Sequence, residues 1–488
     1  MDKKKFYITT SIAYTNAPPH IGYALELIQA DVIARYHKLL GEDVLFLTGT
    51  DEHGAKVVKA AQESGKEPKE FTDEISDKFK ELTKVLNISS NDFIRTTDQK
   101  RHWPTVQKVW SKLKENGDIE KKQYKGLYCV GCEAFITKKD LIEGKCKIHQ
   151  QEPEVIEEEN WFFKLSNYSK QIEELIEKDE VKIVPEGRKN EMLSFIRQGL
   201  EDVSFSRPRK DLKWGIPVPD DDTQTIYVWA DALINYISAL GSFENEKFKK
   251  YWPADIHFVG KDILRFHATI WLGMLLSLKL PLPKNIFVHG FITSDGQKMS
   301  KSLGNIIDPF ELVKKYGADA VRYFLLREIP PSEDGDFTYE KFEQRYNADL
   351  ANGIGNLVAR VLHLALEISI VDKQIFHPQK ITRDDLKLVA ERIKNNLDKS
   401  LDNFEFNETV IYIWDLISYC DKYLEEKHPW NASPNEWEKD IESKGVVRDL
   451  VFLINEIAKL LRPFLPETAE KIFEQLKGEK IAPLFPRI

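Results

Sequence analysis

The sequence has few cysteines, no secretory leader and no long apolar run. Only four cysteines occur among 488 residues, which excludes a disulfide-rich scaffold and favours a reducing, cytoplasmic location. The amino-terminal segment MDKKKFYITT lacks an apolar signal region, and no uncharged apolar stretch is long enough to cross a bilayer. We therefore expect a cytoplasmic protein with no membrane partner.

An excess of positive charge is also missing. The 79 acidic residues outnumber the 70 lysines and arginines, which gives a formal net charge of −9. Because an average charge hides local patches, this balance argues only weakly against a nucleic-acid partner. Internal repeats and low-complexity segments are lacking too, and a hydrophobic content of 42% suits ordinary folded cores. The length predicts about two to four domains.

The first part of the chain alternates strand-like and helix-like segments. FYITTSI predicts a strand, GYALELIQADVIARYHKLLG a helix that ends at Gly41, and VLFLTGTD a buried parallel strand. The same order returns in DIHFVGKD, ILRFHATIWLGMLLSL and NIFVHGFI. After about Tyr346 the segments become helical and poor in glycine. We therefore predict an α/β fold, a split Rossmann-type parallel sheet with an inserted segment, followed by an all-α helical bundle.

The domain boundaries follow from these changes of pattern. We predict that residues 1–115 and 226–290 form the two halves of the sheet domain. Residues 116–225 are the connective insertion, residues 291–345 a lysine-containing loop and linker, and residues 346–488 the helical bundle.

Polar residues follow each predicted strand of the sheet. Ligands of open parallel sheets bind in the crevice outside the carboxyl ends of the strands. We therefore predict a site at this edge, although a single such residue would usually be an ordinary helix cap. The residues are Thr10, Ser11, Asp51, His53, Lys261, Asp262 and His289.

Two segments indicate that the ligand is an anion. In TNAPPHIGYAL, two prolines lead into a helix with His20 at its amino terminus and Gly22 just inside. Free N–H groups and the helix dipole favour an anion there. In DGQKMSKSLGN, Lys298 and Lys301 lie between glycines, in a loop that can close over phosphate and stabilise charge developing in a displacement at phosphorus. Taken separately, each segment has an ordinary alternative. His20 could be a surface histidine at a helix start led by prolines, and the lysine segment could be a solvated basic loop.

A metal site is predicted between residues 126 and 150. Cys129 and Cys132 form a C-x2-C pair, and Cys146 with His149 forms a C-x2-H pair. Thiolates with an imidazole at this spacing select Zn²⁺, and four protein ligands leave no open catalytic position. We therefore predict one structural zinc knuckle within the insertion. The remaining Cys420 fits an ordinary helix-core position.

Together, His-Ile-Gly and Lys-Met-Ser-Lys-Ser resemble the paired signatures of class I aminoacyl-tRNA synthetases. The segment TGTDEHG resembles the methionyl subfamily. This resemblance covers nearly the whole chain and implies a methionine–tRNA ligase. His20, Lys298 and Lys301 would be catalytic, acting on ATP accompanied by Mg²⁺, and initiator and elongator tRNA(Met) would be the macromolecular partners. The implied ATP-binding residues are His20, Gly22, Tyr23, Lys261, Asp262, Lys298 and Lys301.

The resemblance also implies a methionine pocket. Asp51 would hold the substrate ammonium group, and aromatic and small aliphatic side chains would enclose the thioether. For any one of these positions, ordinary core packing is the alternative. The implied pocket residues are Ile12, Tyr14, Asp51, Trp229, Ala232, Leu233, Tyr236, Ile263 and His267.

The helical region carries the implied anticodon-binding residues. Asn356 and Arg360 lie four positions apart, on one face of a helix, and Trp430 follows a proline at a helix end. An exposed tryptophan can stack on an unpaired base while asparagine and arginine read base edges. A core tryptophan and a surface arginine are the alternative that composition alone leaves open.

The sequence departs from the family pattern at four positions, Tyr23, Ser11, Ala13 and Ala230. These affect the details of the pocket and of the ATP contacts rather than the reaction class. Some members continue into an oligonucleotide-binding domain that dimerises them, and nothing here corresponds, so we expect a monomer. The rival functions are a class I synthetase for another amino acid, an inactive tRNA-binding protein and a free-standing nucleotidyltransferase.

Overall fold

The structure is a computed structural model with two compact units. It describes residues 3–131, 134–136, 141–147, 150–299, 304–370, 372–376, 383–431, 440–478 and 481–488. The first unit comprises Met1–Pro19, His37–Lys84 and Ser89–His289, and the second comprises His20–Tyr36, Val85–Ile88 and Gly290–Ile488. Within the described ranges, every helix is too short or too polar to cross a bilayer.

Nineteen strands are present in the described part of the chain. They are β1 (Lys5–Thr10), β2 (Ala13–Tyr14), β3 (Asp43–Asp51), β4 (Asp92–Arg95), β5 (Ile119–Cys129), β6 (Ala134–Ile136), β7 (Leu141–Ile142), β8 (Lys145–Cys146), β9 (Glu154–Phe163), β10 (Lys182–Val184), β11 (Val203–Ser204), β12 (Ser206–Pro208), β13 (Pro217–Val218), β14 (Asp221–Ile226), β15 (Ile256–Gly260), β16 (Asn285–His289), β17 (Ile292–Ser294), β18 (Gln297–Lys298) and β19 (Gly335–Phe337).

The α-helices of the described residues lie in both units. They are α1 (Ile21–Leu39), α2 (Ala55–Glu63), α3 (Pro68–Val85), α4 (Trp103–Glu115), α5 (Ser169–Glu177), α6 (Glu186–Ile196), α7 (Val228–Ala232), α8 (Asn235–Ser238), α9 (Glu246–Tyr251), α10 (Leu272–Ser277), α11 (Pro309–Tyr316), α12 (Ala318–Arg327), α13 (Tyr339–Arg345), α14 (Asn356–Ser369), α15 (Asp384–Asp402), α16 (Phe406–Lys427), α17 (Ile441–Leu461) and α18 (Pro466–Gln475). Residues Phe266–Trp271 and Tyr346–Gly355 are π-helical, and Leu165–Tyr168 and Pro429–Asn431 form 3₁₀ turns.

The first unit is built on a sheet with the strand order β10–β16–β15–β1–β3–β2, with β4 also pairing with β3. Ile8 of β1 is opposite Ile256 on one side and Phe46 on the other, and both pairings are parallel. Tyr7, Ile8, Phe46 and Phe258 have no measurable exposure, because helices cover both faces of such a sheet. The predicted split parallel sheet is confirmed.

One strand of this sheet comes from within the predicted insertion. β10 pairs in parallel with β16, so that Ile183 is opposite Ile286. The sequence analysis did not anticipate this, because KIV is too short to stand out as a strand. The rest of residues 116–225 is mainly antiparallel, with β5 paired to β9 over ten positions and β14 paired to β12 and β13.

The second unit contains the predicted helical region. α16 packs against α15 and α17, and α17 packs against α14 and α18. Their apolar spacing places Leu357, Val361, Ile413, Leu450 and Ile454 in the core, each fully buried. The predicted all-α character of this region is confirmed.

A buried arginine connects distant segments of the second unit. The Arg322 guanidinium on α12 has no exposed surface and lies 2.8 Å from the equally buried Asp31 carboxylate on α1. It also donates to the carbonyls of Leu86, Pro463 and Phe464, at 3.2, 2.9 and 2.7 Å. One side chain thus joins four stretches of chain that are far apart in sequence.

We expect Arg322→Met to lower the free energy of unfolding by about 3 kcal/mol, because it removes the donor to three carbonyls and leaves the buried Asp31 carboxylate without one of its two arginine partners, the other being Arg35 at 2.7 Å. Differential scanning calorimetry checks this. The matched control is Lys427→Met, which removes an exposed ion pair with Glu442 and should cost less than about 1 kcal/mol. Equal effects of the two substitutions would contradict the role of Arg322.

Candidate functional site

The polar residues predicted to gather do follow neighbouring parallel strands. Asp51, Gly260 and His289 are the last residues of β3, β15 and β16, and Thr10 is the last residue of β1. These four strands are adjacent in the sheet. Their carboxyl ends therefore form one edge, where the order of the chain reverses around β1 and leaves a crevice.

Asp51 lies deep in this edge. Asp51 is 6% exposed and is opposite Tyr14 of β2 in the parallel register. The Asp51 carbonyl accepts hydrogen bonds from the backbone N–H and the hydroxyl of Thr15, at 2.9 and 3.1 Å. The segment after β2 is thereby held against the end of β3, beside Asp51.

The predicted apolar residues belong to one cluster of the first unit. Leu233 and Tyr236 are buried core members, and Ile12, Tyr14, Trp229 and Ile263 pack against the cluster while half-buried. The Trp229 ring stacks on Phe266, with ring centroids 3.8 Å apart and planes 4° apart. The sequence analysis missed Phe266, although it lies three residues after Ile263 and directly before His267.

A hydrogen bond between Tyr236 and His267 forms the polar part of this cluster. The His267 Nδ1–H donates to the Ile263 carbonyl at 3.0 Å, so Nε2 accepts from the Tyr236 hydroxyl at 2.7 Å. Burial lowers the pKa of His267 to about 4, which keeps the ring neutral near pH 7. His267 lies in the π-helix Phe266–Trp271, a helical form that is frequent at functional sites.

Two further histidines bracket a carboxylate that the sequence analysis did not select. Asp231 accepts from His53 Nδ1 at 2.6 Å and from His102 Nε2 at 2.7 Å. Asp231 and His102 are fully buried. The sequence marks His53 only as a polar residue after a strand, and its partner is 178 positions away, so no local spacing indicates the pair.

His20 has a defined ring orientation in the second unit. Its Nδ1 accepts the backbone N–H of Gly22 at 3.1 Å, so the proton of the neutral ring is on Nε2, where it can be donated. A Cβ on residue 22 would lie 2.9 Å from the His20 ring. Gly22 thus permits the ring position, and the neighbouring Tyr23 is half-buried in the first turn of α1.

Lys298 lies on a β-hairpin rather than in an irregular loop. β17 and β18 pair in antiparallel fashion, with Thr293 opposite Lys298. Asp295 and Gly296 form the turn with φ values of 52° and 72°, as a type I′ turn requires. The Asp336 carboxylate accepts from the Gly296 N–H at 2.7 Å and so anchors the turn. Lys298 is exposed, whereas Lys301 lies outside the described residues.

Lys261 and Asp262 follow β15 in the first unit. Lys261 is half-buried and Asp262 is exposed. The Ile263 N–H donates to the Gly260 carbonyl at 3.1 Å, which turns the chain at the strand end. A Cβ on Gly260 would lie 2.7 Å from Asp262 Oδ1, so a larger residue there would displace the exposed Asp262 side chain. The predicted ATP-binding residues are thus divided between the two units.

Two of the four predicted metal ligands are described, and they share one small cluster. Cys129 ends β5 and Cys146 ends β8, with exposures of 1% and 2%, and both pack with Ile136. Cys132 and His149 lie outside the described residues. Among the residues that are described, no group of three potential ligands could hold a metal ion. The metal site therefore remains a prediction. Cys420 is fully buried on α16, as predicted.

The structure brings Arg360 and Trp430 together. The Arg360 guanidinium lies over the Trp430 ring, 5.0 Å from its centroid, and pairs with Glu425 at 2.6 Å. The Trp430 residue is 38% exposed. Asn356 is the first residue of α14, one helical turn before Arg360. The predicted common helix is therefore present.

Sequence models of known families match almost all of the chain. The family described as tRNA synthetases class I (M) matches residues 6–140 and 131–362, and the anticodon-binding domain of tRNA ligase matches residues 389–486.

Individual relatives are similar over nearly the whole chain. The methionine–tRNA ligase of Caldanaerobacter subterraneus subsp. tengcongensis is 46% identical over 97% of this chain and 74% of its own length. That of Thermotoga maritima is 44% identical over 98% of this chain and 76% of its own. The structure of Mycobacterium tuberculosis methionyl-tRNA synthetase in complex with methionyl-adenylate matches with a TM-score of 0.90 at 35% identity, covering 99% of this chain and 100% of that one.

The buried His267 makes stability depend on pH. Because its folded-state pKa of about 4 lies below the ordinary histidine value of 6.5, the stabilisation is complete above pH 6.5 and is lost as the pH falls toward 4. Between pH 6.5 and pH 5 we expect a loss of about 2 kcal/mol from this group. Urea unfolding at the two pH values checks this. His267→Gln should lose less stability on acidification than the wild type. The control His363→Gln, on the exposed face of α14, should lose as much as the wild type. Identical pH dependence of the free energy of unfolding in all three proteins would contradict the role of His267.

Proposed function

Because this chain belongs to the methionyl-tRNA synthetase family of class I enzymes, and is a methionine–tRNA ligase, we propose that its two reaction steps use the residues described above. The observation that carries the activity is the similarity to methionine–tRNA ligases at up to 46% identity over 97% of the chain. In the first step, a methionine carboxylate oxygen attacks the α-phosphorus of ATP, and the bond to pyrophosphate breaks. In the second, a ribose hydroxyl of tRNA attacks the activated carbonyl carbon, and AMP leaves.

We propose that Asp51 and the aromatic cluster bind methionine. A carboxylate at the end of β3 suits the substrate ammonium group. The stacked Trp229, with Tyr14, Ile12 and Ile263 at the half-buried boundary of the core, supplies a slot for an unbranched thioether. Ala232 leaves room in the slot, Leu233 lines it, and the Tyr236–His267 pair closes it.

We propose that His20, Lys298 and Lys301 act on the triphosphate. The orientation of the His20 ring supports this, because its Nε2–H can donate to a phosphate oxygen. Lysine ammonium groups stabilise the charge that develops as pyrophosphate leaves. Gly22 and Tyr23 lie beside His20, and Lys261 and Asp262 would contact the nucleoside part. Mg²⁺ would be held mainly by the phosphates, where it neutralises charge.

For the second step we propose that the 2′-hydroxyl of the terminal ribose attacks first. No general base stands out among the residues of the proposed site, so the rate would come from positioning and electrostatic stabilisation. Initiator and elongator tRNA(Met) would bind through Asn356, Arg360 and Trp430. The exposed Trp430 ring next to a guanidinium supports stacking on an unpaired anticodon base.

The test of the first step is the exchange of pyrophosphate into ATP with each of the twenty amino acids, without tRNA. We expect exchange with methionine alone. Lys298→Ala should lower the exchange rate at least about tenfold, since it removes a charge that stabilises the transition state. Lys314→Ala is the control and should leave the rate unchanged, because Lys314 is an exposed lysine of the same unit, on α11. Exchange with a different amino acid would refute the pocket, and unchanged activity of Lys298→Ala would refute its role.

The anticodon assignment predicts that the two steps can be separated. Trp430→Ala should raise the KM for tRNA(Met) at least about tenfold, the loss expected from one base–aromatic stack, and leave pyrophosphate exchange unchanged. Leu388→Ala is the control, because Leu388 is another exposed apolar residue of the second unit, on α15, with 65% of its surface exposed against 38% for Trp430. An unchanged KM for tRNA in Trp430→Ala would show that the ring does not bind the anticodon.

We further propose that Cys129, Cys132, Cys146 and His149 bind one structural Zn²⁺. The supporting observation is that Cys129 and Cys146, from two different strands, are buried in the same small cluster. Thiolates at the ends of two hairpin strands are the usual donors of a closed tetrahedral site. The metal would hold this part of the insertion folded and take no part in the reaction.

Metal analysis should find about one zinc per chain, as a single four-ligand site requires. Cys129→Ser and Cys146→Ser should lose it. Cys420→Ser should retain it, because that buried thiol on α16 has its pKa raised to about 12 and lies outside the knuckle. A folded wild-type protein without zinc would disprove the site.

A further inference from the structure

We propose that Asp231 is a positioning residue for methionine, which acts by clamping the two walls of the proposed pocket together through His53 and His102. The inference rests on the proposed pocket, because it concerns how that pocket keeps its shape. Asp231 and the two histidines do not contact the reacting atoms and serve no step of the mechanism above.

The clamp has one carboxylate at its centre. Asp231 Oδ2 accepts from His53 Nδ1 at 2.6 Å, and Asp231 Oδ1 accepts from His102 Nε2 at 2.7 Å. His102 Nδ1 lies 2.7 Å from the Ser238 hydroxyl. Each carboxylate oxygen therefore has its own imidazole partner, and the second nitrogen of His102 is also used.

Every member of the clamp is removed from water. Asp231 and His102 have no exposed surface, and His53 and Ser238 are each 2% exposed. Burial alone would raise the pKa of Asp231, but His53 and His102 outweigh burial and hold it below its usual value. Asp231 is therefore an anion that accepts from both rings. Such a group is costly to bury without partners, so its geometry is strongly determined.

Each arm of the clamp reaches a different wall of the pocket. His53 follows Asp51, the proposed ammonium-binding residue, by two positions at the end of β3. Asp231 lies on α7 between Trp229 and Ala232, which line the proposed slot for the side chain. The 2.6 Å contact between His53 and Asp231 thus sets the distance between the group that holds the amine and the group that holds the thioether.

Surrounding contacts keep the His53 arm in place. The His53 ring packs edge-on against Trp103 and Trp214, with centroids 6.1 and 5.6 Å away. The Trp214 indole N–H donates to the carbonyl of Glu52, the residue between Asp51 and His53, at 2.6 Å. A displacement of about 1 Å in a positioned group can lower activity about a hundredfold, so loss of the clamp should be visible in methionine binding.

The test measures KM for methionine and for ATP by pyrophosphate exchange, together with the melting temperature. Asp231→Asn puts an amide donor where an acceptor is needed, and we expect the KM for methionine to rise about tenfold or more while that for ATP stays within about twofold. A second pair of variants covers the case in which Asp231→Asn does not fold. His102→Leu removes the donor to Asp231 and should raise the KM for methionine, whereas His102→Gln keeps a donor near the Nε2 position and should retain most of the affinity.

Asp118→Asn is the matched control. The Asp118 carboxylate also accepts from two side chains of the first unit, the hydroxyls of Tyr168 and Ser277, and neither belongs to the pocket. This substitution should leave both KM values unchanged. If Asp231→Asn or His102→Leu raises both KM values alike, or if His102→Gln is as impaired as His102→Leu, the positioning role is wrong.

Trp229→Ala separates failure of the clamp from failure of the pocket. If Trp229→Ala raises the KM for methionine and Asp231→Asn does not, the pocket stands and the clamp is refuted. If Trp229→Ala has no effect, the pocket assignment is wrong, and the premise of the inference falls with it.

Discussion

Strand β1 lies between β3 and β15 and pairs with both in parallel, and the arrangement of the first unit depends on this double pairing. Because the neighbours run in the same direction, the residues that end them come to one edge. Asp51 and the Gly-Lys-Asp turn after β15 therefore flank a common crevice, although they are more than two hundred positions apart. The same unit contains the cluster against which Trp229 packs and the Tyr236–His267 hydrogen bond.

The parts that sequence reasoning predicted are those with a local physical signature. Periodicity indicated α1, β3, β15 and the helices after Tyr346, because burial of one face imposes a repeat on the residues. Likewise, the spacing of Asn356 and Arg360 was sufficient to predict that they lie on one face of a helix. The pocket residues came from a family resemblance instead, since an aromatic residue lining a slot has the same local pattern as one in a core.

The parts that were missed depend on contacts between distant residues. Asp231 is 178 positions from His53 and 129 positions from His102, and no local spacing in the chain indicates that these side chains are in contact. The same holds for Arg322, whose partners Asp31 and the Pro463 carbonyl lie in segments that are distant in the sequence. β10 is a third case, because three residues have too little pattern to be assigned before their partner β16 is known.

If Tyr236 and His267 line the methionine pocket as proposed, their hydrogen bond has a consequence for fidelity. Since the tyrosine proton goes to Nε2 and the Nδ1 proton goes to the Ile263 carbonyl, neither group has a donor left for a ligand sulfur. A slot of this kind distinguishes side chains by length, width and dispersion, and differences on the scale of one methylene amount to about 1–3 kcal/mol. An amino acid with a methylene in place of the sulfur would be rejected only weakly, so accurate decoding of methionine codons would depend on how scarce such an analogue is in the cell.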